Sequence, residues 1–340
     1  MIWLRRIAFV GAVAFLILTF VNASWIAADT PGHVRLIANG GIAQQYLPGG
    51  RKSPCPATQI LPPIHDILED TERAVLMAQR MGADMVAVDL ARTADNALVL
   101  FPDATLDCRT NGKGPVAGAT LAQLRALDLG YGYTADKGAT FPLRGKGVGL
   151  ATTLEQAIDL NPRARFLFRL STPDAATAGL LVQELKAMGR DPGATGDAFT
   201  GKDEAVSAFR AAFPKAWAWT DEGAQSCTGS YRLMGWTGLT PGACQSGTLV
   251  APLDGTFTLW GWPNRLQGRI TAVGGQVLAT RDGNGAGLRH AADLPLIPVS
   301  YHGHVMVDDF WTVGPALRPS LDARTNEEAI AAQNRDEQGE

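Results

Sequence analysis

Nowhere in its 340 residues does the chain gather lysine and arginine into a cluster, and its 30 basic residues face 33 acidic ones, a net charge of −3. Both features argue against a nucleic-acid surface. No G-x-G-x-x-G follows a strand-like run, which argues against a dinucleotide-binding domain. Cysteine is scarce. The four present include no C-x2-C pair and no nearby histidine pair, so zinc-ligand spacing is absent. No internal repeat is visible. Only 19% of residues are charged and 46% are hydrophobic, a composition that suits one large domain or two small ones.

Charge is also missing from residues 7–21, directly behind the basic flank Arg5-Arg6, and apolar character continues to Ala28 with Asn22 and Ser24 as interruptions. Fifteen residues suit the core of a signal peptide cut near Val21-Asn22-Ala23. The twenty-two of 7–28 would cross a bilayer with Trp25 near an interface. Residues 1–28 are therefore expected to be a signal or anchor segment. The rest would be exported to the periplasmic face, either held at the inner membrane or secreted after cleavage. Four cysteines agree with an oxidising compartment. Cys227 and Cys244 enclose sixteen residues rich in Gly, Thr and Ser, which suits a local disulfide; Cys55 and Cys108 would then pair, although four cysteines allow three connectivities.

What is present beyond this is alternation. Strands are expected at 34–38, 85–90, 97–101, 165–170, 216–219, 256–260, 276–279 and 304–307. Helices are expected at 71–81, 121–127, 154–160, 175–188, 203–212 and 264–273, two of them opened by the capping boxes Thr120-x-x-Gln123 and Thr153-x-x-Gln156. Alternation over this length implies an α/β fold with a parallel sheet, and the length suits a (β/α)8 TIM barrel. The barrel is expected to cover 33–318, with the Pro/Gly/Gln-rich 42–67 as a long loop over its mouth, Val313-Gly314-Pro315 near its close and 319–340 as a polar, disordered tail.

The stretch 82–114 is the most specific. It resembles the signature of the glycerophosphodiester phosphodiesterase family, in which Gly82-Ala83-Asp84, Asp89, Thr93, Asp95, Val99, Asp103, Leu106, Arg109-Thr110, Gly112 and Gly114 fall in register. The resemblance implies a phospholipase-C-like phosphodiesterase barrel. It also implies two histidines as general acid and base, and a divalent cation held by a Glu-x-Asp pair and a later glutamate. In this chain Asn39 and Pro102 stand at the histidine positions, Gly40 at an arginine, Ala87 and Leu167 at two metal carboxylates, and Arg169 at a lysine. Asp89 is the one metal carboxylate retained, with Glu69 or Asp103 as partial substitutes. The cofactor expectation is thus none, or a weakly bound Ca2+ or Mg2+ on Asp89 and Glu69.

Candidate ligand-binding residues are Asn39, Glu69, Asp89, Asp103 and Arg169. Asp89 has two open roles, a ligand contact or an ion pair with Arg169. Asp103, Arg109 and Thr110 have a plain structural alternative, holding the loop after the third strand. His302 and His304 tempt a catalytic reading against a solvated rim or packed core, and His33 and His65 are further candidate proton carriers. Trp217, Trp219, Trp236, Trp260 and Trp262 line either an apolar wall near the mouth or the core. Three functions follow: a barrel of this family that no longer hydrolyses but binds a small phosphodiester or polyol, an active phosphoric diester hydrolase of lipid metabolism with a rearranged site, or an interaction protein of the envelope.

Overall fold

Short apolar runs bounded by turn residues become strands, and the capped amphipathic runs between them become helices. The computed structural model describes all residues except Met1, Asp29, Pro173, Asn284, Gly339 and Glu340. In chain order the elements are α1 (Ile2–Asn22), β1 (Arg35–Asn39), α2 (Glu72–Arg80), β2 (Met85–Arg92), β3 (Leu98–Leu100), α3 (Leu121–Ala126), α4 (Leu154–Leu160), β4 (Phe166–Leu170), α5 (Ala175–Ala187) and α6 (Pro192–Thr195). There follow β5 (Ala198–Thr200), α7 (Asp203–Ala212), β6 (Trp217–Trp219), α8 (Asp221–Met234), β7 (Thr248–Pro252), α9 (Asn264–Ala272), β8 (Gln276–Thr280), β9 (His304–Val307), α10 (Phe310–Leu317) and α11 (Asn326–Gln338). Eight strands, in the order β6-β5-β4-β2-β1-β9-β8-β7, form the sheet of a (β/α)8 barrel, and β3 pairs antiparallel with β2 off that path.

By internal contacts the chain divides into two compact units. The larger comprises Leu36–Thr220, Gly287–Leu294 and Met306–Glu340. In it β1, β2, β4, β5 and β6 run parallel, with Asn39 level with Ala87 and Asp89 level with Arg169. One electrostatic device recurs at the starts of these strands. Asp84 accepts the Leu36 N–H at 2.8 Å and pairs with Arg318 at 2.7 Å. Asp197 accepts the Phe166 N–H at 2.9 Å and forks onto Arg190. Each aspartate thus satisfies a backbone donor of the preceding strand that no ladder partner reaches.

Loop 42–67 is packed rather than loose: Tyr46, Ala57 and Ile60 join a buried cluster with Phe101, Leu106 and Tyr133, and Cys55–Cys108 staples it to the segment after β3. The smaller unit comprises Met1–Arg35, Asp221–Ala286 and Pro295–Val305, carries β7 and β8 in parallel, and contains Cys227–Cys244.

Three expectations change. Residues 256–260 are not a strand, because Leu253–Thr258 forms 3-10 turns. The supposed close at 313–315 lies inside α10. The tail expected to be disordered contains α11, whose Ala332 is buried and whose Asp336 lies 3.0 Å from His290 Nδ1. The helix hides in sequence because few apolar residues mark its inner face. By contrast α4, α7 and β9 match their expected bounds.

Removing the Cys55–Cys108 bridge should destabilise the fold. With the two cysteines 53 positions apart in sequence, the chain-entropy model gives a loss of about 4 kcal/mol. The double substitution C55S/C108S, followed by urea unfolding in non-reducing buffer, should show a lowered midpoint of that order.

Candidate ligand-binding site

β1 ends in Asn39-Gly40-Gly41, and both glycines sit at positive φ, 75° and 74°. At Gly41 a Cβ would lie 2.7 Å from the Ala74 backbone, so no side chain fits. At Gly40 it would lie 3.1 Å from Glu69 Oε2. Thr71 caps α2 by accepting the Ala74 N–H, which fixes Glu69-Asp70 at the helix entrance. Asp70 itself occupies the left-handed region at φ 56°, held by its N–H to the Gly40 carbonyl at 3.0 Å.

Glu69 is the hub. Its Oε1 accepts from Tyr46 and Arg109, and Oε2 pairs with Arg51 Nη2 at 3.0 Å. Arg109 also donates to the Tyr133 hydroxyl, and its Nε donates to Asp103 Oδ2 at 2.8 Å. Arg51 comes from loop 42–67, lies over the Tyr46 ring and donates to the Asn39 carbonyl at 3.1 Å. Burial alone would raise the Glu69 carboxyl. The guanidiniums of Arg51 and Arg109, with the Tyr46 hydroxyl, outweigh it and bring it down to about 2.

A second group lies on β2 and β4, where Asp89 and Arg169 are level. Asp89 is forked by Arg169, Nε to Oδ1 at 2.8 Å and Nη2 to Oδ2 at 2.7 Å, so of its two open roles the ion pair is the one observed. Asp70 Oδ1 accepts the Asp89 N–H. Its carboxyl is pushed well up by burial and then by the charges of Asp89 and Glu69, which biases it toward the protonated form. Asn39 donates to Asp308 Oδ1 at 2.6 Å, and Asp308 Oδ2 in turn accepts from Gly287 N–H. Among the described residues, Glu69 Oε2 has only its ion pair with Arg51, and three further buried polar atoms here, Asn39 Oδ1, Arg51 Nε and Asp70 Oδ2, have no hydrogen-bond partner. An acceptor and two potential donors left open suit a ligand that both gives and takes hydrogen bonds.

All five residues named from sequence as ligand-binding, Asn39, Glu69, Asp89, Asp103 and Arg169, lie in these two groups. Arg109 and Asp103 do hold the loop after β3, while Thr110 bonds back to the Leu106 carbonyl. Pro102 follows Phe101, whose N–H donates to the Asp89 carbonyl; it has no group that transfers a proton.

The histidines go elsewhere. His65 packs on Trp311 at 4.7 Å and is lowered to about 4, chiefly by burial and then by Arg335, so it is neutral at neutral pH. His302 is bound to the Thr30 carbonyl, His304 is buried in β9 and His33 is exposed. The tryptophans form no single wall. Trp217 stacks on Trp219 at 4.6 Å, Trp262 packs on Tyr301, and Trp236 and Trp260 are exposed. Sequence reasoning missed Arg51, Tyr46, Tyr133 and Asp308, which carry no motif, and Asp70, whose effect depends on burial. Only Asp70's place beside Glu69 ahead of a helix cap could have flagged it.

Residues 57–200 match the sequence model of the glycerophosphoryl diester phosphodiesterase family. A glycerophosphodiester phosphodiesterase of Bacillus subtilis is 36% identical over 101 residues, 28% of this chain and 33% of that protein, so the chain's match spans about a third of this relative's length. Among solved structures, a phosphodiesterase from Oleispira antarctica in complex with the product sn-glycerol-3-phosphate aligns with a TM-score of 0.54 at 18% identity, over 84% of this chain and 96% of that one. The glycerophosphoryl diester phosphodiesterase domain of a Mycobacterium tuberculosis protein aligns at 0.55 and 17% identity, over 89% and 100%.

Together the strand order and these structures define a (β/α)8 barrel. The family resemblance itself is carried by residues 57–200, under half of the chain, and by relatives matched over about a fifth to two fifths of their length.

Glu69→Gln should cost about 3–5 kcal/mol, because it leaves buried Arg109 under-compensated. The sign with pH follows from the depressed carboxyl. Its contribution is full above the unfolded value near 4.5 and is lost as pH falls through about 2. Denaturation between pH 5 and pH 2 should therefore show a steeper loss of stability in the wild type than in E69Q.

Proposed function

We propose that this chain is an exported envelope protein of the glycerophosphodiester phosphodiesterase family whose hydrolytic site has become a binding site for a small polyol or phosphodiester. The observation that carries the reading is that the retained carboxylates are committed to guanidiniums: Glu69 to Arg51 and Arg109, Asp89 to Arg169, Asp103 to Arg109. The family's divalent cation does not fit this donor set. A hard cation takes six or more oxygens, several of them carboxylate. Both Asp89 oxygens are forked onto Arg169, positions 87 and 167 are Ala and Leu, and the described residues contain no converging group of three His, Cys, Asp or Glu side chains.

With Asn39 and Pro102 at the positions of the family's proton carriers, the site also lacks the groups worth about 10²–10⁴ each in rate. What remains is recognition. In this reading Asn39 Oδ1 accepts a ligand hydroxyl and Arg51 Nε donates, while the partly exposed Arg169–Asp89 pair adjoins Asp70. Export is supported by the apolar N-terminal helix and two disulfides.

A second reading keeps hydrolysis and rests on Asp70, which is biased toward its protonated form beside Asp89. Calorimetry with glycerol and sn-glycerol 3-phosphate should give measurable binding, weakened about tenfold or more by Asn39→Ala, the scale of one lost hydrogen bond of about 1.4 kcal/mol. Glycerophosphoethanolamine incubated with the protein and Mg2+ or Ca2+ should release no glycerol 3-phosphate above background. Metal-dependent turnover that disappears in Asp70→Asn would replace the first reading with the second.

A further inference from the structure

The smaller unit carries an apolar surface that the ligand site does not use, and it gathers around the end of α1. There Arg269 binds the Val21 carbonyl at 2.9 Å, Asn22 Oδ1 at 3.1 Å, the Gly235 carbonyl and the Tyr231 hydroxyl. Asn22 donates to the Trp236 carbonyl at 2.8 Å, and the Asn264 N–H donates to Ser24 Oγ at 2.9 Å. These bonds tie the helix end to the loop after α8 and to α9. Ala23, the last residue of the candidate cleavage motif, is buried at the centre of this junction.

Around it, large apolar side chains face outward. Trp25, Leu233, Trp236, Leu239, Phe257 and Trp260 are all exposed, Phe257 at 90% and Leu239 at 64%. Part of this set is tied to the helix end: Trp260 Nε1 donates to the Arg232 carbonyl, next to Leu233, Tyr231 donates to the Trp260 carbonyl, and Gly238, between Trp236 and Leu239, lies against Val21. Between Glu222 and Asp254 the one charged residue is Arg232, and the disulfide Cys227–Cys244 brackets most of the segment.

We propose that this surface lies in the interface of the lipid bilayer that α1 enters, so that the smaller unit rests on the membrane and does not hang from a free tether. The occupant is lipid because α1, whose 20-residue, predominantly apolar span Trp3–Asn22 has no cover of its own, ends beside these side chains. Two features of the patch fit a headgroup region. Tryptophan prefers the boundary between chains and headgroups, and a lone arginine with no acidic neighbour in sequence suits anionic lipid.

The test uses the full chain reconstituted into phosphatidylcholine/phosphatidylglycerol vesicles containing lipids brominated near the headgroup end of the acyl chain. Trp3 and Trp25 are first replaced by phenylalanine to silence α1 and its flank. Tryptophan emission of this W3F/W25F chain should still be quenched, and adding W236F and W260F should remove that loss. Because Trp260 also holds Arg232, W236F alone serves as a second variant and should remove part of it. An unquenched W3F/W25F chain, or quenching that persists unchanged without Trp236 and Trp260, overturns the proposal. Ligand binding at the site of the larger unit is not expected to change in any of these variants, so the result is independent of the proposed function.

Discussion

The carboxylate of Glu69 is the contact on which the rest of the site depends. A buried charge survives only if it is paired with opposite charge and hydrogen-bonded. Glu69 meets that condition by drawing in a guanidinium from loop 42–67, a guanidinium and a phenol from segments after β3, and the phenol of Tyr46. Each of these groups is itself buried or half-buried, so each has the carboxylate as a reason to be where it is. The arrangement fixes three stretches of chain that no ladder of the sheet would hold together.

The same network decides what the site does with charge. Arginine offers a planar fork that matches a carboxylate, and once matched it has little attraction left for a second anion. The pairs Arg169–Asp89 and Arg109–Asp103 therefore leave these residues as self-neutralised charge pairs. Polar atoms of Asn39, Arg51 and Asp70 are left over. Under the proposed binding function, hydrogen bonding rather than net charge would select the ligand.

Much of the framework was readable from residue pattern. The capping boxes at Thr120 and Thr153 gave helix starts that the structure repeats. The signature around 82–114 pointed to the right fold because most of its residues serve that fold. Asp84 receives a strand N–H and Arg318, Asp95 binds Thr93 and the start of α3, and Gly112 leaves no room beside Leu127. Motifs of this kind report local geometry, which is encoded locally. Arg51, Tyr133 and Asp308 were invisible for the converse reason: their partners lie tens to hundreds of residues away, and no spacing rule links them. The helix α8, rich in glycine and serine, and the short β5 were missed because tertiary packing outweighs weak propensity there.

The Cys55–Cys108 bridge touches Glu69 through its neighbours. Cys108 precedes Arg109, and Cys55 lies four residues beyond Arg51. The sulfur link therefore joins the two segments that deliver the cations. Before it forms, Arg51 and Arg109 must find the carboxylate as independent loop closures, each with its own entropic cost. Afterwards the two searches become one. The bond thus couples the delivery of both cations to one covalent link, and a reduced chain is expected to hold a looser charge cluster.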